Sequence, residues 1–210
     1  AIVTNSGQAN AATGQEGRDK NWRMALSGAK TIGCLPHQVL TASTGVIGKQ
    51  MEVEKLEAAS PELVEKAGDH AELFALSILT TDLVPKTVTT EVTLSGGTVR
   101  ITGICKGSGM IHPNMATMLG YILTDVEMTM DVAQDLVRKS ADVSFNMISV
   151  VVDSSTNDCV FLLANGASGV SLRDDADHAT FREALFALSK LLAQSIARDG
   201  ECHVLVARAA

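Results

Sequence analysis

The 210 residues carry 17 Lys and Arg against 24 Asp and Glu, a formal net charge of -7 that argues against nucleic acid or an anionic membrane as the main partner. With 20% charged and 46% hydrophobic residues, the composition is that of one large or two small globular domains and excludes general disorder. Aromatic residues make up only 3%, so the core must be aliphatic, and an aromatic platform for stacking bases is not expected.

In chain order, Ala1 to Asn5 suits a short buried strand without the basic start of a secretory signal. The small and polar run from Gly7 to Gly14 suits a loop with tight backbone packing. Trp22, Met24, Ala25, Ala29 and Ile32 follow a helical spacing that ends near Gly33. Val39 to Ala42 reads as a strand running into a small-residue loop, Ser43 to Gly48. Met51 to Ala58 is charged and helical, and Ser60-Pro61 marks a new helix start with proline at its first position. A further helix covers Glu72 to Leu79.

Thr87 to Leu94 and Thr98 to Cys105 flank Gly96-Gly97 as a β-hairpin. A long irregular loop, Lys106 to Ala116, follows, and a loop of that length inside a compact domain is a functional flag. Thr117 to Thr124 reads as a strand and Asp131 to Ser140 as a helix. Asn146 to Val152 and Cys159 to Ala164 are expected strands, bracketing the polar run from Asp153 to Asp158. Phe181, Ala184, Leu185, Leu188, Leu191, Leu192 and Ile196 line one side of a long helix from Thr180 to Ala197. Strands and helices mixed around an antiparallel hairpin predict an α/β fold, an α+β layered sandwich.

Most simple chemistries fail on spacing. No segment reaches the ~20 apolar residues of a membrane span. Cys34, Cys105, Cys159 and Cys202 show no C-x-x-C pair, as expected of reduced, buried, intracellular thiols. His37, His70, His112, His178 and His203 lack ligand spacing, so no metal is expected. Gly45 to Gln50 is too short for a phosphate-binding Walker loop, and Gln50 stands where Ser or Thr would hold magnesium. Gly107-Ser108-Gly109 lacks the spacing of a serine nucleophile elbow. What remains is Thr117, after the small Ala116. A threonine becomes a good nucleophile at a chain start, where its own α-amine can take the hydroxyl proton, and self-cleavage makes such a start. Most Ala-Thr pairs are purely structural.

The segment from Lys106 to Leu119, KGSGMIHPNMATML, resembles the self-cleavage segment of the ornithine acetyltransferase (glutamate N-acetyltransferase) family of arginine biosynthesis. Five further blocks resemble the family in family order: Asn5 to Gly14, Ser43 to Gly48, Thr80 to Lys86, Ser154 to Asp158 and Asp199 to Glu201. The resemblance implies a self-processing, N-terminal-threonine acetyltransferase fold similar to the aminopeptidase-like group. It implies cleavage between Ala116 and Thr117, which divides the chain into an α portion, 1–116, and a β portion, 117–210. It makes Thr117 the nucleophile, taking acetyl from N-acetylornithine as an ester and passing it to glutamate. Thr44 and Gly45 match the oxyanion hole, and Thr80 or Thr81, Lys106, Thr117 and Glu201 match substrate-binding positions. No cofactor is implied, although some members also accept acetyl-CoA. The pieces are expected to associate as a heterotetramer, with no nucleic-acid or membrane partner. The expected location is intracellular and soluble: cytoplasmic in a bacterium, plastid in a plant or alga.

The chain also departs from the family pattern. It is expected to be a fragment truncated at both ends, since family members begin well before Ala1 and continue differently after Glu201, where this chain reads Cys202 to Ala210. Val150-Val151-Val152-Asp153 replaces the more usual Val-Asp-Gly-Asp. Two other readings therefore stay open: an amide hydrolase or aminopeptidase on the same scaffold, or an inactive uncleaved fragment. Asn10, Thr13, Asn157 and Asp158 also fit a plainer role, satisfying loop backbone groups.

Overall fold

The computed structural model describes residues 1–108, 118–148 and 155–200. Two compact units divide between Thr80 and Thr81. That boundary differs from the expected cleavage point, which lies outside the described residues.

The first unit is built on two parallel strands, β1 (Ile2–Gln8) and β2 (Leu40–Val46), joined through α1 (Gly14–Ile32). Gly33 ends α1 in the left-handed conformation at φ 77°, and its amide bonds to Ala29 O, a standard glycine stop. Met24, Ala25 and Ala29 form the buried stripe of α1, whereas Trp22 and Ile32, expected on that stripe, are exposed. Ser43 to Val46, expected as loop, continue β2 in register with Asn5 to Gln8. Parallel pairing to β1 supplies the order that small polar residues do not encode by themselves.

The two helices expected around Pro61 are one, α2 (Val53–Glu65), with the proline inside it. Tertiary bonds offset the backbone bond lost there. Arg23 on α1 reaches Glu54 Oε1 at 2.8 Å and Glu57 Oε2 at 2.6 Å. The Ser27 hydroxyl donates to Ser60 Oγ at 2.8 Å, one residue before the proline. Met24, Met51 and Val53 close the space between α1 and α2. Helix α3 (Ala71–Ser77) follows as expected.

The second unit is a four-stranded sheet in sequence order. β3 (Lys86–Leu94), β4 (Gly97–Lys106) and β5 (Leu119–Thr124) are antiparallel, and β6 (Cys159–Ala164) runs parallel to β5. The hairpin turns at Ser95-Gly96, as its glycines predict. Helix α5 (Asp175–Arg198) covers one face and α4 (Met130–Asp142) packs beside β6. Val99, Ile101 and Cys105 on β4 meet Phe181, Leu185, Leu188, Leu192 and Ile196 on α5. Each such large apolar side chain stabilises the unit by about 1.5–3 kcal/mol on burial. Leu191 departs from the expected stripe and is exposed. Phe145–Met147 forms a short 3-10 turn where the Asn146 to Val152 strand is expected to begin, and residues 149–152 of that strand lie outside the described residues. The helix layer on a mixed sheet is the α/β layering that the alternation of elements predicts. No helix among the described residues is long and apolar enough to cross a membrane.

Candidate active site

The resembling blocks fall into two groups, one in each unit. In the first unit, Asn5 to Gly14 and Ser43 to Gly48 are zipped together. Ala9 N donates to Val46 O at 3.0 Å, Gly48 N to Ala11 O at 2.8 Å and Gln50 Nε2 to Thr13 O at 2.9 Å. Asn10 and Ala12 sit in the left-handed region at φ 54° and 56°, which costs an alanine roughly 1–2 kcal/mol. Asn10 is steadied by donating to Gly17 O and accepting from the Thr13 hydroxyl, both at 2.9 Å. Thr44 is buried on β2. Gly45 follows at φ 127°, so close to β1 that a Cβ would lie 2.3 Å from the Gly7 carbonyl carbon. Only glycine fits there, which leaves its backbone as the only chemistry that position offers.

In the second unit, four charged side chains meet at one end of the sheet. Lys86 begins β3 on the α5 face, and Lys106 ends β4 with its side chain on the opposite face. Asp82 bridges them. Its Oδ1 accepts from Lys86 Nζ at 2.8 Å and from the Gly107 amide at 2.6 Å, and its Oδ2 lies 3.6 Å from Lys106 Nζ. Lys86 Nζ also bonds to Asp199 Oδ2 at 2.5 Å, at the end of α5. Asp199 accepts from the Leu83 amide at 3.1 Å through the same oxygen, and its carbonyl accepts from the Ser108 hydroxyl at 2.8 Å. The four side chains are at most 4% exposed.

Two ammonium and two carboxylate groups balance, which buried charges require. Burial pushes the Asp82 acid up, but the Lys86 bond, the Gly107 amide and the two ammonium charges outweigh it and hold it below the usual range. Burial lowers Lys106, opposed mainly by Asp82. Asp158, just before β6, accepts the Met118 amide at 2.6 Å. Burial pushes its acid up to about 7 against that bond, the Ser155 hydroxyl and Lys106. Cys105 is buried and its thiol is pushed up to about 12, which excludes it as a nucleophile.

The structure thus joins Lys106 to the Thr80–Lys86 and Asp199 blocks and sets Met118 against Asp158. Thr80 and Thr81 are exposed beside this cluster in sequence. Ala116, Thr117 and Glu201 lie outside the described residues. Sequence reasoning missed the ion cluster. Asp82 and Lys86, four apart in one block, were its only local signal. Asp158, expected to satisfy a loop backbone group, does so for Met118. Among the described residues no cluster of His, Cys, Asp and Glu could hold a metal ion.

Known proteins resemble this chain along nearly all of its length. Arginine biosynthesis bifunctional protein ArgJ of Thermosynechococcus vestitus is 46% identical over 204 residues, 96% of this chain and 49% of that protein. Its counterpart in Neisseria meningitidis serogroup A is 45% identical over 205 residues, 96% of this chain and 50% of that one. The crystal structure of arginine biosynthesis bifunctional protein ArgJ from Bacillus halodurans superposes with a TM-score of 0.50 at 38% identity, covering 55% of this chain and 61% of that one. The chain therefore spans about half the length of the curated relatives it matches. The ArgJ family model matches residues 1–208, nearly the whole chain, and with these relatives it establishes that the chain belongs to the ArgJ family.

Proposed function

We propose that this chain carries the acyl-transfer machinery of an ornithine acetyltransferase, moving acetyl from N-acetylornithine to glutamate through an acetyl-threonine ester. The observation that carries the reading is the family match over residues 1–208, with relatives named as arginine biosynthesis bifunctional proteins. The Thr117 hydroxyl attacks the Ala116 carbonyl, the peptide nitrogen leaves as the new α-amine of Thr117, and water hydrolyses the resulting ester. The α and β portions stay associated, because β4 and β5 lie on either side of the cut and pair from Ile101–Thr124 to Lys106–Leu119.

In turnover the Thr117 hydroxyl gives its proton to that α-amine and adds to the acetyl carbonyl. The tetrahedral oxyanion is held by the Thr44 hydroxyl and the Gly45 amide, each such donor contributing about 3 kcal/mol. Collapse expels the ornithine amine with a proton and leaves the acetyl ester, which the glutamate amine then attacks. Lys106 supplies the cation for a substrate carboxylate, Glu201 an anion for an ammonium group, and Thr80 or Thr81 hydrogen bonds. No cofactor enters this scheme, and acetyl-CoA would serve only as another acetyl donor. A heterotetramer of the two portions is the proposed assembly.

The test is acetyl transfer from N-acetylornithine to glutamate, with Thr117→Ala as control. Loss of transfer in the variant supports the reading, and equal rates in both refute it. Release of free acetate in place of N-acetylglutamate would identify the amide-hydrolase alternative.

A further inference from the structure

Helices α4 and α5 lie side by side in the second unit, pinned where the buried Ser140 hydroxyl donates to Ser189 Oγ at 2.7 Å. Toward their N-terminal halves they line a groove of about 330 Å³, a size typical of small-molecule sites. Asp131, Val132, Asp135 and Leu136 come from α4, and His178 and Arg182 from α5. Residues four apart share a helix face, so each wall carries a row: Asp131 and Asp135 on one, His178 and Arg182 on the other. Half-buried Val132 and buried Leu136 supply the apolar lining.

The two walls hold opposite charges that do not pair across the groove. Asp135 bonds to Lys139 on its own helix at 2.7 Å. Among the described residues Asp131 and Arg182 form no ion pair, and both are exposed. The groove therefore offers one carboxylate and one guanidinium. A ligand with only a carboxylate would meet Arg182 while facing Asp131, and one with only an ammonium would face the reverse conflict. A ligand with both groups complements both walls. Packed helix axes lie about 8–10 Å apart, so its two charges must be held apart, and the spacer that suits Val132 and Leu136 is a run of methylenes.

We propose that this groove binds a small ω-amino acid, an ammonium and a carboxylate joined by a short aliphatic chain. Asp131 accepts the ammonium group. Arg182 donates a forked pair of hydrogen bonds to the carboxylate, with His178 one turn away on the same wall. The backbone beneath both charged rows is set by capping: Thr129 accepts the Val132 amide at the start of α4, and Asp174 accepts the Asp177 amide at the start of α5. About 25 Å of helix separates Arg182 from Asp199, so the groove is a site apart from the ion cluster and does not depend on the acyl-transfer reading.

The probes are 5-aminopentanoate, which carries both charges, and pentanoate and pentylamine, which carry one each. Each is titrated into the 15N-labelled wild-type chain and into Asp131→Asn and Arg182→Gln, two exposed positions whose replacement leaves the remaining amide resonances as a check of the fold. With 5-aminopentanoate, saturable shifts are expected at the amides of residues 131–136 and 178–182. Either substitution should weaken binding about tenfold or more, as loss of a charge-assisted bond does, and each single-charge probe should bind the wild type more weakly by a similar factor. The absence of saturable shifts at these residues overturns the proposal. So does equal binding of pentanoate or pentylamine, or unchanged affinity for 5-aminopentanoate in both folded variants.

Discussion

Replacing Lys86 by methionine keeps most of the length of the side chain and removes the charge that Asp82 and Asp199 share. Lys86 is 1% exposed and bonds to Asp82 at 2.8 Å and Asp199 at 2.5 Å. In the variant Asp82 keeps Lys106 at 3.6 Å, but Asp199 loses its cation and retains only the Leu83 amide. Removing one partner of a buried ion pair costs about 3–5 kcal/mol, against a typical total stability of about 5–15 kcal/mol. Lys55→Met is the matched control. Its pair with Glu52 is 76% and 52% exposed, so solvent screens it and its loss should change stability little.

Urea unfolding followed by far-UV circular dichroism measures both variants, since the lone Trp22 reports only the first unit. The gap between wild type and Lys86→Met should also narrow in acid. Asp82 has a folded-state value below its unfolded one, so its contribution is full above about pH 4 and is lost as pH falls through the lowered value. A loss below about 1 kcal/mol, or one matching Lys55→Met, would refute the idea that paired buried charge holds this end of the sheet together.

Three other perturbations test separate parts of the structure. Asp174→Ala removes the α5 N-cap that accepts the Asp177 amide at 2.8 Å, and should cost about 1 kcal/mol in urea unfolding. Gly45→Ala must push a Cβ against the Gly7 backbone at φ 127°. A loss of about 2–4 kcal/mol is expected, together with acetyl transfer, and a neutral result would contradict the tight β1–β2 approach. Cys105, buried with its thiol at about 12, should resist iodoacetamide at pH 8 in the folded protein and label fully in urea, as read by mass spectrometry.

Periodicity made the second unit legible, and small residues obscured the first. The hairpin, β6 and α5 announce themselves through β-branched runs, Gly96-Gly97 and apolar residues recurring every three to four positions. Ser43 to Val46 carry no such pattern, and their strand exists because β1 lies alongside in parallel register. Pro61 looked like a helix start because the Arg23 grip on Glu54 and Glu57, which holds the helix through it, joins positions over thirty residues apart. The ion cluster was hidden for the same reason. Asp199 and Lys86 are separated by 113 residues, and pairing over that distance leaves no local trace. The candidate site was legible only as blocks of resemblance, without the charge balance that ties three of them together.

The account depends most on Thr117 becoming a chain start. Intact mass spectrometry of the purified protein with N-terminal sequencing tests that in one step. The account predicts two associated pieces, the second beginning at Thr117, and a single uncut species for Thr117→Ala. A wild-type chain that remains one piece of full-length mass, with no new terminus at Thr117, would contradict it.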